Sequence, residues 1–391
     1  MKKTIKDFDL NGKKVIIRCD FNVPMQEGRI TDDNRIIQSL PTIKYAIEKG
    51  AKIILMSHLG RVKTEEDLIK NNLKPVALKL SELLSLAVTF IDETRGEKLE
   101  TACNNLKNGE VLLVQNTRYE DLDGKKESSN DEELAKYWAS LADIYINDAF
   151  GTCHRAHASN VGIASNLPNG IGFLVEKEIT ELEKATKNPQ RPYTVIMGGA
   201  KISDKITLIE HLVEVADYIL IGGAMAYTFL QSKGYNIGKS LIDSENIDFC
   251  KKMLDNNSDK IILPVDHVVS NQIDDGNIKI VENFTEEDIG LDIGPKTVEL
   301  FNTYLEKSKT VIWNGPVGYT EKPEFANGTK SLCEKLKTLD ATVIIGGGDT
   351  AASIIKLKYD NCFTHISTGG GATLEYLEGK ELPGIKIISE K

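Results

Sequence analysis

Five arginines of this chain sit where a β-branched run gives way to polar residues. VIIRCDFNVP carries Arg18, with Asp20 and Asn22 just beyond it; ILMSHLGR carries His58 and Arg61; LLVQNTRYE carries Arg118. INDAFGTCHRAH carries His154, Arg155 and His157. Arg35 follows in DDNRIIQSLP, ahead of a helix whose first turn is expected to take Pro41. A guanidinium is a planar fork that matches phosphate and carboxylate oxygens, so several forks at strand ends point to a small polyanion. Asp20 and Asn22 would accept from its hydroxyls. Any one arginine alone is more simply a surface ion pair, but five of eight at strand ends fits that reading poorly. The histidines read as structural donors. Neither HExxH nor GxSxG occurs, so the sequence supports neither a metalloprotease nor a hydrolase elbow.

All eight arginines lie at or before position 191, and 20 of the 31 glycines lie beyond it. A division this sharp implies two modules that bind different things. In the second, YTVIMGGAKISDK places Gly198 and Gly199 after a strand, then Lys201 and Lys205. ATVIIGGGDTAAS places Gly346, Gly347 and Gly348 ahead of Asp349 and Thr350, and HISTGGGATLEYL repeats the pattern at Gly369, Gly370 and Gly371. Glycine lets backbone amides approach phosphate, and a following helix adds free N–H groups and the positive end of its dipole. Asp349 at such a turn suits magnesium, which takes few carboxylates and keeps phosphates and waters. Tight strand–helix packing explains any single cluster but not three. GYNIGKS is one residue short of a P-loop and follows no apolar strand. GGGDTA fits a dinucleotide fingerprint but has no acidic partner at the needed distance downstream.

Something must position these groups. Short runs (15–21, 52–58, 87–92, 111–116 and 144–149, then 193–199, 218–223, 260–263, 310–316, 341–348 and 363–370) read as strands. Many are almost continuously apolar, as parallel strands covered on both faces should be. ITLIEHLVEVAD and SLCEKLKTLD between them read as amphipathic helices, and Gly50 and Gly379 as helix ends. The alternation predicts an α/β fold: two Rossmann-like lobes, each a mostly parallel sheet with helices on both faces, joined by a helix hinge. FLVEKEITELEKATK is one charged helix stopped by NPQRP, so the boundary is expected between 173 and 192. LADIYINDAFG echoes VADYILIGGAM, a hint of two similar halves.

The 391 residues, 41% apolar and 27% charged, are enough for two domains with real cores. A net charge of −10 argues against nucleic acid or an anionic membrane as partner. No stretch is long and apolar enough for a transmembrane helix, and the basic N-terminus has no apolar run after it. Six scattered cysteines without CxxC fit a reduced cytoplasmic setting.

RCDFNVP, SHLGR, INDAFGTCHRAHAS, GGAKISDK, LPVDHVV, GLDIGPKT, WNGPVG, GGGDTAAS and HISTGGGATLEYLEGKELPG together resemble the phosphoglycerate kinase family, from residue 5 to residue 388. The resemblance implies magnesium-dependent phosphoryl transfer between the acyl phosphate of 1,3-bisphosphoglycerate and ADP, giving ATP and 3-phosphoglycerate in glycolysis. It implies Asp20, Asn22, Arg35, His58, Arg61, Arg118 and Arg155 for 3-phosphoglycerate. For the nucleotide it implies Lys201, Lys205, Gly290, Asn314, Pro316, Glu321 (on the ribose), Gly347, Gly348, Asp349 and Thr350, with Asp349 toward magnesium. Arg35, Lys201, Gly369 and Gly370 would surround the transferring group. The lobes implied are 1–172 with about 375–391 for phosphoglycerate, a 173–189 helix between, and 190–374 for nucleotide. A hinge through 173–189 and 365–375, a monomer and a cytoplasmic location follow from the same resemblance. Departures from the family pattern are Cys19, Cys153, Gln115 where Glu is common, Ala224 where Gly is usual, and an unusual YTEKPEF. Cys19 alternates away from the Arg18 and Asp20 face and reads as core. Two rival readings stand beside this one. An NAD-dependent dehydrogenase leaves the arginines and Lys201 unexplained. A non-catalytic anion-binding scaffold would not keep two complete sites.

Overall fold

Where a run is almost wholly apolar, both faces of the strand need cover, and parallel pairing with helices on each side supplies it. The structure, a computed structural model, describes residues 1–391. Its strands are β1 (Lys14–Cys19), β2 (Met25–Gln26), β3 (Arg29–Ile30), β4 (Lys52–Met56), β5 (Val88–Ile91), β6 (Val111–Val114), β7 (Ile144–Asp148) and β8 (Asn169–Ile171). They continue with β9 (Tyr193–Met197), β10 (Tyr218–Ile221), β11 (Ile261–Ile262), β12 (His267–Ser270), β13 (Lys279–Val281), β14 (Ile289–Ile293), β15 (Thr310–Asn314), β16 (Thr342–Gly346) and β17 (His365–Ile366). Every residue of β6, β7, β9 and β15 is buried. All eleven expected strands are present, somewhat shortened at their glycine-rich ends.

The chain divides into one unit of Met1–Ile179 with Glu381–Lys391, and a second of Thr180–Lys380. The division falls inside the helix Phe173–Thr186. In the first unit the six parallel strands run β5-β6-β4-β1-β7-β8; in the second they run β11-β10-β9-β15-β16-β17. Strand order therefore reverses at β1/β7 and at β9/β15, and crevices beyond such reversals are where α/β sheets hold ligands. The LADIYINDAFG/VADYILIGGAM echo falls on β7 and β10, which hold non-equivalent places in the two orders. It reflects a shared strand-then-turn grammar, not matching halves.

The second unit also holds an antiparallel sheet, β13-β12-β14, that the sequence did not announce. β13 is mostly exposed, so its pattern resembles a loop. The tail docks on the first unit. Gly384 donates its N–H to the Cys153 carbonyl at 2.9 Å and accepts from the Asn147 amide at 3.0 Å, while Glu390 pairs with Lys2 at 2.8 Å.

Pro41 departs from expectation. The helix begins at Asn34, so Arg35 lies in its first turn and Pro41 in its interior. Ile36, Leu40, Ile43 and Ala46 are buried along one face, and that burial outweighs the loss of one backbone hydrogen bond. Cys19 is fully buried, as read from its alternation, and burial pushes its thiol pKa up. Burial pushes Cys153 up to about 12. No helix is long and apolar enough to cross a membrane.

Candidate active site

In the first unit, β1, β4, β6 and β7 end together, and Arg18, Arg118, Arg35 and His157 face His58 there. Asp20 is buried just past β1 and pairs with Arg35 from the adjacent helix. The Asn22 side-chain carbonyl accepts from the Gly60 N–H at 2.8 Å, which shapes the turn leading to Arg61. Arg118, largely buried, is held by Asp121 at 2.8 Å. Arg61 and Arg155 are exposed, and Arg155 Nε contacts His154 Nε2 at 3.1 Å. Burial and then the charges of Arg18, Arg118, Arg35 and His157 hold the His58 pKa well below the usual value. His157, buried and facing Arg118, Arg18 and Arg155, is lowered to about 3. Both rings are thus neutral near pH 7 within a field of fixed guanidinium charge.

Arg18 corrects the sequence reading. It does not project from the strand end as a fork for ligand; it is wholly buried. Its guanidinium donates to the Ser159 hydroxyl at 2.9 Å, to the Cys19 carbonyl, and to His58 Nδ1 at 3.3 Å. Glu127, also fully buried, receives both the hydroxyl and the N–H of Ser159. Nothing in KKESSND distinguishes Glu127 from its charged neighbours, so the sequence carried no signal for it. Of the three remaining arginines, two form ion pairs, Arg95 with Glu120 and Arg191 with Asp217, and Arg29 is exposed on the β2–β3 hairpin.

Gln115 does not touch Arg118. Its side-chain carbonyl accepts from the N–H groups of Leu73 and Asn116 at 3.0 and 2.9 Å, which ties the residue just before the helix Lys74–Leu84 to the end of β6. An acceptor is all that position needs, and Gln supplies one as well as Glu would. Ala224 has φ −66°, an ordinary helical value, so glycine is not required there.

In the second unit the glycine clusters divide by what surrounds them. Gly198 packs against the Pro316 carbonyl, where a Cβ would lie 2.1 Å away, and Gly222 and Gly315 are similarly crowded. Gly198 and Gly315 serve close backbone packing at the β9/β15 reversal, and Gly222, after β10, makes room for the Val317 side chain. Gly348 and Gly370 have nothing within 4 Å of a would-be Cβ, so the side a Cβ would occupy borders open space. Gly347 (φ 87°) and Gly370 (φ 52°) immediately precede helices, a conformation that L side chains rarely adopt. Gly369 donates its N–H to the Ser367 hydroxyl at 3.2 Å.

A cavity of about 460 Å³ opens in this unit, lined mainly by Tyr227, Leu241, Ile289, Leu291, Pro316 and Ala352. Gly199, Gly290, Glu321 and Asp349 also border it. Gly290 comes from the unforeseen sheet; the Ser240 hydroxyl accepts its N–H at 2.9 Å, and a Cβ there would strike the Tyr227 ring at 2.2 Å. Lys205 donates to the Gly198 carbonyl at 2.6 Å, and burial lowers its pKa to about 8, opposed by Asp349 and Asp204. Lys201 is exposed. The Thr350 hydroxyl accepts from the Gly315 N–H at 2.6 Å, tying two loops together. The Asn314 side-chain amide is buried without a partner, a donor held ready beside Gly347. Asp349 is an exposed carboxylate in the first turn after Gly347–Gly348. No group of three or more His, Cys, Asp or Glu side chains could hold a metal by itself. A single carboxylate beside room for phosphates is the donor set that magnesium accepts with a nucleotide.

The model of the family described as phosphoglycerate kinase matches residues 5–380. The phosphoglycerate kinase of Fusobacterium nucleatum subsp. nucleatum is 60% identical over 399 residues, and that of Enterococcus faecalis 58% identical over 395, each alignment covering all of both chains. The solved structure of phosphoglycerate kinase from Coxiella burnetii is similar with a TM-score of 0.88 at 37% identity, covering 99% of this chain and 98% of that one. The enzyme from Pyrococcus horikoshii OT3 gives 0.87 at 32% identity over the same shares. With its two parallel-sheet α/β units and this likeness along the whole chain, the protein belongs to the phosphoglycerate kinase family, phosphotransferases with a carboxyl group as acceptor.

Proposed function

We propose that the chain catalyses reversible, magnesium-dependent transfer of the acyl phosphate of 1,3-bisphosphoglycerate to ADP, giving ATP and 3-phosphoglycerate, as a monomer acting in glycolysis in the cytoplasm. The observation that carries this reading is the pairing of unlike sites at the two sheet reversals. One is a cationic cluster suited to a small polyanion; the other is an apolar cavity edged by Gly199, Gly290, Glu321 and Asp349, with Lys205 next to Gly199. A planar base with a phosphate tail fits the second, and a phosphorylated carboxylate with a hydroxyl fits the first. Asp20 and Asn22 would receive that hydroxyl, and Arg61, Arg118 and Arg155 would take the phosphate oxygens.

In the ATP-forming direction a β-phosphate oxygen of ADP attacks the acyl phosphorus in line, and the P–O bond to the carboxyl oxygen breaks. The carboxylate departs as 3-phosphoglycerate, so no proton need be moved. What the protein must supply is alignment and cationic cover for the trigonal phosphoryl group. Arg35 and Lys201 would give that cover together with the Gly370 amide; the Gly369 N–H, here given to the Ser367 hydroxyl, would join them only on leaving that bond. Asp349 would hold magnesium, which when bound neutralises phosphate charge. Arg35 and Lys201 belong to different units, and the proposed reaction would need both at one phosphoryl group, with the hinge expected through 173–189 and 365–375.

The test is ADP production from MgATP on adding 3-phosphoglycerate, with product drained by a coupled dehydrogenase. Wild type should require both substrates and magnesium. Arg35→Ala should lose about 10²-fold or more in kcat, on the order of 3 kcal/mol of transition-state stabilisation, while MgATP binding persists. Inactive wild type with both substrates present would overturn the reading.

A further inference from the structure

His58 and His157 both sit in the cationic cluster, and the orientation of His58 is set from behind. A guanidinium only donates, so the 3.3 Å contact between Arg18 and His58 Nδ1 requires that nitrogen to be the acceptor. The ring proton must then sit on Nε2. Arg18 is itself fixed by the Ser159 hydroxyl at 2.9 Å and by the Cys19 carbonyl. The hydroxyl can accept from Arg18 because its own proton goes to Glu127, which also takes the Ser159 N–H at 2.9 Å. Arg18, Ser159 and Glu127 are all fully buried, so a charged pair lies in the core bridged by one hydroxyl. Burying two opposite charges this way is not a cheap source of stability, which points to a positioning role. Arg118, Arg35 and His157 also face His58, and they too disfavour a second proton on the ring.

We infer that Glu127, Ser159 and Arg18 form a buried positioning relay that locks His58 as the Nε2-protonated neutral tautomer, presenting one fixed donor to the phosphoglycerate. The inference rests on the proposed function for the identity of that substrate, but not for the state of the ring.

The test uses full-length protein with ¹⁵N-labelled histidine. Its six histidines give few enough signals for His58 to be assigned by comparison with His58→Asn. Wild type should show His58 neutral with the proton on Nε2 from about pH 6 to 8. Ser159→Ala should shift the signals toward a mixture of tautomers and raise KM for 3-phosphoglycerate about tenfold, leaving KM for MgATP within about twofold. Ser159→Thr, which keeps the hydroxyl, should restore both readouts. Glu127→Gln should move them in the same direction as Ser159→Ala, and stands in should the threonine not fold.

An unchanged His58 spectrum and unchanged KM in Ser159→Ala and Glu127→Gln would overturn the relay. So would a loss of thermal stability alone, since a merely structural pair would not move the tautomer. If wild type shows no turnover, the functional reading fails, and the ¹⁵N spectra still decide the relay.

Discussion

The two units build their sites by opposite means. In the first, polar side chains hold one another: Asp20 pairs with Arg35, Arg118 with Asp121, and Arg18 with Ser159 and His58. In the second, the walls are apolar, Gly348 and Gly370 border open space, and Lys201 and Asp349 are exposed. A small polyanion offers only charge and hydrogen bonds, so its receptor must hold donors in place and keep them from collapsing onto one another. A base offers a flat apolar face, so its receptor needs shape first and charge only at the phosphate end. Both units nonetheless pin a helix the same way. Asp148 accepts from the Leu174 N–H at 2.9 Å and Asp292 from the Gly328 N–H at 2.7 Å, each carboxyl raised to about 7 by burial.

If shape governs the second site, the sharpest way to break it is to fill it. Gly290→Ala places a Cβ where Tyr227 now lies and should raise KM for MgATP at least about tenfold while costing about 2 kcal/mol of stability. 3-phosphoglycerate binding, followed by calorimetry, should be untouched. A nucleotide KM within twofold of wild type would mean the cavity is not the base site.

A smaller effect separates the charge chemistry of the two sites. Lys205, with its pKa lowered to about 8 by burial, loses its charge above that pH in the free protein. A bound polyphosphate favours the charged form, so binding takes up a proton and MgATP affinity falls as pH rises past about 8. The first site relies on arginines, which stay charged there, so phosphoglycerate affinity should not follow. Calorimetry near pH 8.5 in buffers of differing ionisation enthalpy reads the uptake directly, and Lys205→Met should abolish it.

The smallest expected effect is at Gln115. If its task is to accept from Leu73 and Asn116, Gln115→Glu should leave activity within about twofold. A tenfold change in KM for 3-phosphoglycerate would instead make it an orienting partner of Arg118.

Much of the fold was legible because burial on both faces leaves a mark. Runs such as YTVIM and TVIWN read as parallel strands, and Gly50 and Gly379 as helix ends, on local grounds alone. β8 and the β12–β14 sheet were not legible: Asn169–Ile171 is too short for a pattern, and β13 is largely exposed. Pro41 misled because a local rule about helix starts was outweighed by packing along the rest of that helix.

By itself the sequence determined the α/β class, the division into a cation-rich and a glycine-rich half, and which strand ends carry polar groups, since residue type and period suffice for these. Tertiary structure alone decided which way each polar group turned. Arg18 and Arg35 look alike as residues near a strand end, yet one is sealed in the core by Glu127 and Ser159 and the other pairs with Asp20 at a half-open surface. Gly198 and Gly348 look alike as glycines after strands, yet one packs against a carbonyl and the other faces open space. Direction depends on partners far away in the chain, and a local pattern contains no record of them.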